Sequence, residues 1–188
     1  MSDLTQGVPR IVRRAERRLS PWVRLVEKDV AFGAERPVET YHCLAQADYV
    51  GMLAVTPEGR LPIVRQFRPA VEAVTWEFPA GLAEPGEPPD VTCRREIREE
   101  VGLEVVETVP LGVFYADTGR LENVIHAFFV RTGDAVEGFV PEPGLEIELV
   151  TAEQLRALIQ AGTFRHQLHL GLLAMATLTG LWDLGRAT

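Results

Sequence analysis

Residues 81–103 read GLAEPGEPPDVTCRREIREEVGL, and the spacing of charge in this stretch decides the reading of the whole chain. A helix is predicted to begin at Pro88-Pro89-Asp90, since proline suits a first helical turn, and to stop at Gly102, a natural left-handed cap. On that helix Glu96 and Glu100 stand at i and i+4, and Glu96 and Glu99 at i and i+3, so three carboxylates share a face. Cys93, Ile97 and Val101 recur every four residues and form a buried stripe beside it. Like charges at these spacings disfavour the helix by about 0.2–0.5 kcal/mol per pair. Arg95, one turn before Glu99, relieves part of this, while Arg94 meets only Arg98 one turn on. An oxygen-rich, under-neutralised face of this kind suits a hard divalent cation, Mg²⁺ or Mn²⁺.

The order Gly81, Glu87, Arg95, Glu96, Glu99, Glu100, Gly102, with an aliphatic after Glu96 and after Gly102, matches every fixed position of the Nudix hydrolase signature. Seven fixed residue types at their ordinary frequencies would coincide by chance on the order of once in a million such chains or less. By resemblance to that family, the fold is a mixed α/β/α sandwich and the activity is Mg²⁺-dependent hydrolysis of a diphosphate linkage. The resemblance implies that Glu96 and Glu100 are the primary metal ligands and Glu99 a further ligand or the base that activates water. It also implies that the Ala80 carbonyl is a metal ligand and that Glu87 and Arg95 orient the helix carboxylates. Gly81 and Gly102 are expected to make the turns at either end.

Outside this segment, VRQFRP at Val64–Pro69, WEFPAGL at Trp76–Leu82 and the amino-terminal SPWVRLVEKDV resemble the ADP-ribose and nucleoside-diphosphate-sugar pyrophosphatases. The resemblance implies a homodimer that exchanges its amino-terminal strands. Trp22 then either stacks on a nucleobase or packs in the dimer or core. Arg68 matches the arginine that meets the substrate diphosphate; Arg65 is read as structural. Glu77 either holds a base or ribose or caps its loop. A catalytic carboxylate from the loop PEPGLEIELV aligns near Leu145, and of the flanking acids Glu142, in a Pro/Gly loop able to close, is preferred. Thr118 stands where ADP-ribose enzymes have proline, which argues against strict ADP-ribose preference. Rival readings are another diphosphate substrate such as a dinucleotide, and a sensor that binds a nucleotide sugar without hydrolysing it.

The remaining pattern is α+β. Strands are expected in WVRLVEKDVAF, VETYHCL, YVGMLAV, RLPIVRQFR, LEVVETV, LGVFYAD, NVIHAFFVR and LEIELV, and Pro79 and Gly81 are expected to end any regular strand in WEFPAGL. A helical pattern runs from Ala152 to about Trp182 with a break near Gly162-Thr163. Two parts are expected: an antiparallel strand extension, 1–50, that forms the dimer, and the hydrolase domain, 51–188. The arginines of residues 1–28, net +4, suggest a solvated, partly helical arm, or a surface for an acidic partner or phosphorylated ligand. His166 and His169, at i and i+3, could bind metal but lack a third ligand.

Over all 188 residues the net charge is −8, and residues 72–107 alone carry −7. That balance argues against nucleic acid as a partner and against metal-free binding of polyanions at this face, while Mg²⁺ there would admit a diphosphate; the resemblance implies that the partner is a small nucleoside-diphosphate sugar. Two widely separated cysteines, Cys43 and Cys93, fit no disulfide framework or cysteine zinc site and read as buried small hydrophobes. With no stretch long enough to span a bilayer, the expected location is cytoplasmic and away from membranes.

Overall fold

A computed structural model describes residues 8–33 and 35–183. Residues 1–7 of the expected arm, and 184–188 at the other end of the expected hydrolase domain, lie outside the described residues. The chain divides into two compact units, one formed by residues 1–47 with 115–124 and the other by 48–114 with 125–188.

In the first unit, β1 (Arg10–Arg18), β2 (Arg24–Ala31) and β3 (Glu39–Ala45) form an antiparallel sheet in that order. The arginine-rich arm expected to be partly helical is therefore a strand. β1 pairs with β2 from Arg10 opposite Ala31 to Arg18 opposite Arg24, and opposite charges meet across and beside the ladder. Arg13 reaches Asp29 at 3.1 Å and Arg24 reaches Glu16 at 3.0 Å, while Arg14 and Lys28 converge on Glu122 at 2.8 and 2.6 Å. Residues 115–124 join this sheet as a strap, the Leu44 N–H donating to the Arg120 carbonyl and the Glu122 N–H to that of Leu44.

The second unit is built on β4 (Tyr49–Val55), whose five central residues are all buried. A continuous apolar run is what a strand covered on both faces requires. Its neighbours form the sheet β7 (Ala80–Leu82), β4, β9 (Val124–Ala135) and β8 (Leu103–Tyr115); β4 is antiparallel to β7 and parallel to β9, so the sheet is mixed. Val50, Met52 and Ala54, with Phe128 and Val130 of β9, pack on Cys93, Ile97 and Val101 of the acidic helix. Leu53 and Val55, with Ala127 and Phe129, face the opposite way, onto Leu155 of helix α2 (Ala152–Gln160) and Leu172 and Ala176 of α3 (Gln167–Leu178). Helix, sheet and helix thus make the α/β/α sandwich. A second, antiparallel sheet of β10 (Glu146–Val150), β5 (Leu61–Arg68) and β6 (Ala73–Glu77) completes the unit.

Two expectations about strands change. LEVVETV and LGVFYAD are one 13-residue strand, β8, and Pro110 is tolerated because β8 lies at the sheet edge. WEFPAGL does not end strand structure at both Pro79 and Gly81: the chain breaks at Phe78-Pro79, and Gly81 lies inside β7.

Candidate active site

Helix α1 (Pro89–Glu96) opens with Pro88 as its cap and Pro89 as its first residue, as the sequence suggests. It does not run as one α-helix to Gly102, because Ile97–Val101 form a π-helical turn that bears Glu99 and Glu100. The three carboxylates therefore stand on an α turn followed by a wider one, and not on a single regular face. Gly102 closes the turn with φ of 65°, and the Phe139 ring lies against it where a Cβ would stand. Gly81 has a different role from the turn expected of it. Its backbone is extended, and the Glu96 carboxylate occupies the space of a Cβ.

Arg95 is the hub of this surface. Its guanidinium donates to Glu87 at 3.0 and 3.2 Å, to Glu96 at 2.7 Å and to Glu99 at 3.0 Å, so the arginine is bonded to Glu87 and to two of the three helix carboxylates. Arg94 and Arg98 turn away, to the Val105 carbonyl and to Glu104. Arg95 and the Thr92 hydroxyl hold the Glu87 carboxyl down at about 2. Burial raises Glu96 despite Arg95, and the charge of Glu99 adds to the shift. Glu100 accepts the Ala80 N–H at 2.8 Å and pairs with no cation among the described residues. Burial, with the charges of Glu96 and Glu77 adding, pushes it up to about 8 in spite of that hydrogen bond. A carboxylate that costs this much to ionise is suited to a cation, and Glu96, Glu99, Glu100 and the Ala80 carbonyl are the oxygen donors available.

Arg68, at the end of β5, and Glu77, at the end of β6, form a two-pronged pair at 2.9 and 2.6 Å. The Thr75 hydroxyl donates to the same carboxylate. Glu77 is only 1% exposed, yet Arg68 and Thr75 outweigh its burial and hold it at about 2. Both oxygens accept from Arg68 or Thr75, and among the described residues the carboxylate makes no hydrogen bond to the backbone of its loop. It fixes the Arg68 guanidinium, whose side chain stays 38% exposed and lies within the electrostatic reach of Glu100. Arg65 pairs with Glu146 at 2.7 Å, a structural contact.

Trp22 is 74% exposed in the turn joining β1 and β2, where its backbone N–H donates to Ser20 Oγ, so it is not packed in a core of its own unit. Glu142 is exposed in the loop before β10; its carbonyl accepts the Leu145 N–H, and its carboxylate makes no hydrogen bond or ion pair among the described residues. Cys93 is buried, and Cys43 is only half buried beside an open cavity of about 550 Å³ lined by Lys28, Tyr115 and Arg120.

Sequence reasoning missed the surroundings of His169. Glu77, His166 and His169 offer ligand atoms within 4.8 Å of one another, which supplies the third residue the histidine pair lacked. The hydrogen bonds argue against a metal there. Both Glu77 oxygens are engaged, and His169 Nδ1 accepts the Phe78 N–H at 2.9 Å, so the neutral ring carries its proton on Nε2 and has no lone pair to spare. Burial keeps His169 neutral, lowering it to about 3, with His166 adding to the shift.

The NUDIX domain profile matches residues 45–169, and the chain belongs to the Nudix family. It is 36% identical over 88 residues to an ADP-ribose pyrophosphatase of Bacillus subtilis, covering 47% of this chain and 48% of that one. It is 37% identical over 84 residues to an ADP-sugar pyrophosphatase of Mus musculus, covering 43% and 38%. The matches thus span about half or less of those relatives' length. A solved structure of an ADP compounds hydrolase superposes over 95% of this chain and 97% of its own with a TM-score of 0.74 at 20% identity, a likeness of fold.

Proposed function

We propose that this protein hydrolyses the diphosphate linkage of a nucleoside diphosphate sugar of the ADP-ribose type, with Mg²⁺ or Mn²⁺, giving a nucleoside monophosphate and a sugar phosphate. The observation that carries this reading is the half-buried, Glu77-braced guanidinium of Arg68 within electrostatic reach of the Glu100 carboxylate, which pairs with no cation among the described residues. A diphosphate bears anionic oxygens for the first, and a divalent cation answers the second. The resemblance of the aligned halves to ADP-ribose and ADP-sugar pyrophosphatases points the same way.

In this reading Glu96, Glu99, Glu100 and the Ala80 carbonyl hold the cation. When bound, it neutralises charge growing on the non-bridging oxygens and lowers the pKa of water. Arg68 pairs with the diphosphate and keeps its own position through Glu77. Arg95 and Glu87 hold Glu96 and Glu99 against their mutual repulsion. Glu99, 55% exposed, takes the proton of the attacking water, and Glu142 closes over the site as a second acid/base. Trp22 offers its exposed face to the nucleobase.

The same reading makes the protein a homodimer joined through the amino-terminal sheet, where β1 is an outer strand exposing Ile11 and Val12. The extension corresponds to the unit of residues 1–47 with 115–124 and the hydrolase domain to that of 48–114 with 125–188, since a boundary at residue 50 would cut β4. The free cysteines suit a reducing, cytoplasmic location, and no helix among the described residues is long and apolar enough to cross a membrane.

Phosphate released by an added phosphatase, measured with Mg²⁺ over nucleotide sugars and dinucleotides, tests the proposal. Turnover best on nucleotide sugars is expected. Tight binding with no turnover makes the chain a sensor, and preference for dinucleotides moves it to another substrate class.

A further inference from the structure

The polypeptide changes sheets at Phe78-Pro79. Glu77 pairs with Val64 in the sheet of β5, and Ala80 pairs with Gly51 in the sheet of β4. Two backbone groups at this crossing are taken up from outside: the Pro79 carbonyl accepts the Met52 N–H at 3.1 Å, and the Phe78 N–H donates to His169 Nδ1 at 2.9 Å. Proline itself has no N–H to contribute. His169 is fully buried near the start of α3, its ring stacked on His166 at 4.0 Å and set 6.0 Å from the Phe78 ring, with Nε2 3.5 Å from Tyr49 Oη. On one side of the crossing Glu77 grips Arg68, and on the other the Ala80 N–H meets Glu100. A two-residue link therefore spaces the diphosphate arginine from the metal-binding carboxylates, and one imidazole holds the link.

We propose that His169 is a positioning residue: from α3 it fixes the crossing at Phe78-Pro79 and so sets the Arg68–Glu77 pair relative to Glu100. This rests on the pyrophosphatase reading above, and His169 touches neither substrate nor metal in it.

Steady-state kinetics on ADP-ribose with Mg²⁺ test the idea in His169→Leu, His169→Asn and His169→Gln. Asparagine places a carbonyl oxygen near the position of Nδ1, glutamine carries its amide one carbon further out, and leucine offers no acceptor. The leucine and glutamine proteins, assayed well below their melting temperatures, are expected to lose about 10- to 100-fold in kcat. The asparagine protein is expected to stay near the parent. In an Arg68→Ala background His169→Leu should cost little further, because the group it positions is gone.

A histidine that merely stabilised the fold would lower Tm, leave kcat of the folded protein unchanged and add in full to Arg68→Ala. Parent-like kcat in folded His169→Leu, or full additivity, overturns the proposal. If the leucine protein does not fold, the asparagine and glutamine proteins decide, and equal rates for the two overturn it. If ADP-ribose is not turned over, the same comparison is made on the best substrate of the panel above; a parent inactive on every member shows the pyrophosphatase reading itself to be wrong, and this inference falls with it.

Discussion

Two arginines in the same unit are used in opposite ways. Arg68 serves one carboxylate, Glu77, which is buried and fully satisfied, whereas Arg95 is shared among Glu87, Glu96 and Glu99 while Glu100 pairs with no cation. The first arrangement is closed and holds a shape. The second is deficient in positive charge and is completed only from outside. The ratio of cations to carboxylates, more than the presence of ion pairs, separates a structural contact from a binding site.

The largest effect that could break this contrast is on turnover. Glu99→Gln and Glu100→Gln should each lower kcat by about 10³-fold or more with the melting temperature held or raised, because the first removes charge from a crowded site and the second replaces a carboxyl whose ionisation burial already opposes. Parent-like rates in both would end the assignment. Mg²⁺ should raise the parent's melting temperature more than that of Glu100→Gln, measured by differential scanning fluorimetry.

Next comes the closed pair. Arg68→Met strands the buried Glu77 carboxylate and should destabilise by about 3 kcal/mol in urea melts, whereas Glu77→Leu leaves an arginine that can reach water and should cost less. The reverse order would show that the pair is not organised around the burial of Glu77.

Gly81→Ala follows, since the new methyl displaces the Glu96 carboxylate. About a tenfold loss of kcat is expected with little change in the far-ultraviolet circular dichroism spectrum.

The smallest effect is in acid. A carboxyl held at about 2 when folded and titrating near 4.5 when unfolded lends stability that is whole above that upper value and fades as pH falls through 2. Glu87 lies in the same window. The difference between the acid melts of parent and Glu77→Gln should therefore isolate Glu77, and coincident curves would contradict its pairing with Arg68.

The region most legible in the sequence was the acidic segment, because its prolines, its glycine cap and the Cys93, Ile97, Val101 stripe are local features, and β4 was legible for its unbroken apolar run. β1 was hidden because almost every residue of RIVRRAERR is exposed, so no alternation marks it as a strand; its partners are charges on β2 and on the strap. The bond between His169 and Phe78 joins residues 91 positions apart, and the occupation of Glu77 depends on two strands meeting at their ends. Neither leaves a periodic trace. The π turn was missed because a four-residue repeat fits an α-helix nearly as well.

That turn has a geometric consequence. Four residues overshoot one α turn of 3.6 residues, so a row of every fourth side chain creeps around a regular helix. Four residues undershoot a π turn, whose hydrogen bonds reach five residues back, so the creep reverses there. From Cys93 to Ile97 the row winds one way, and from Ile97 to Val101 it unwinds, which keeps all three side chains within the one buried cluster beneath the helix. Deleting one residue between Ile97 and Val101 would therefore swing Val101 out of that cluster and carry Glu100 away from the Ala80 amide.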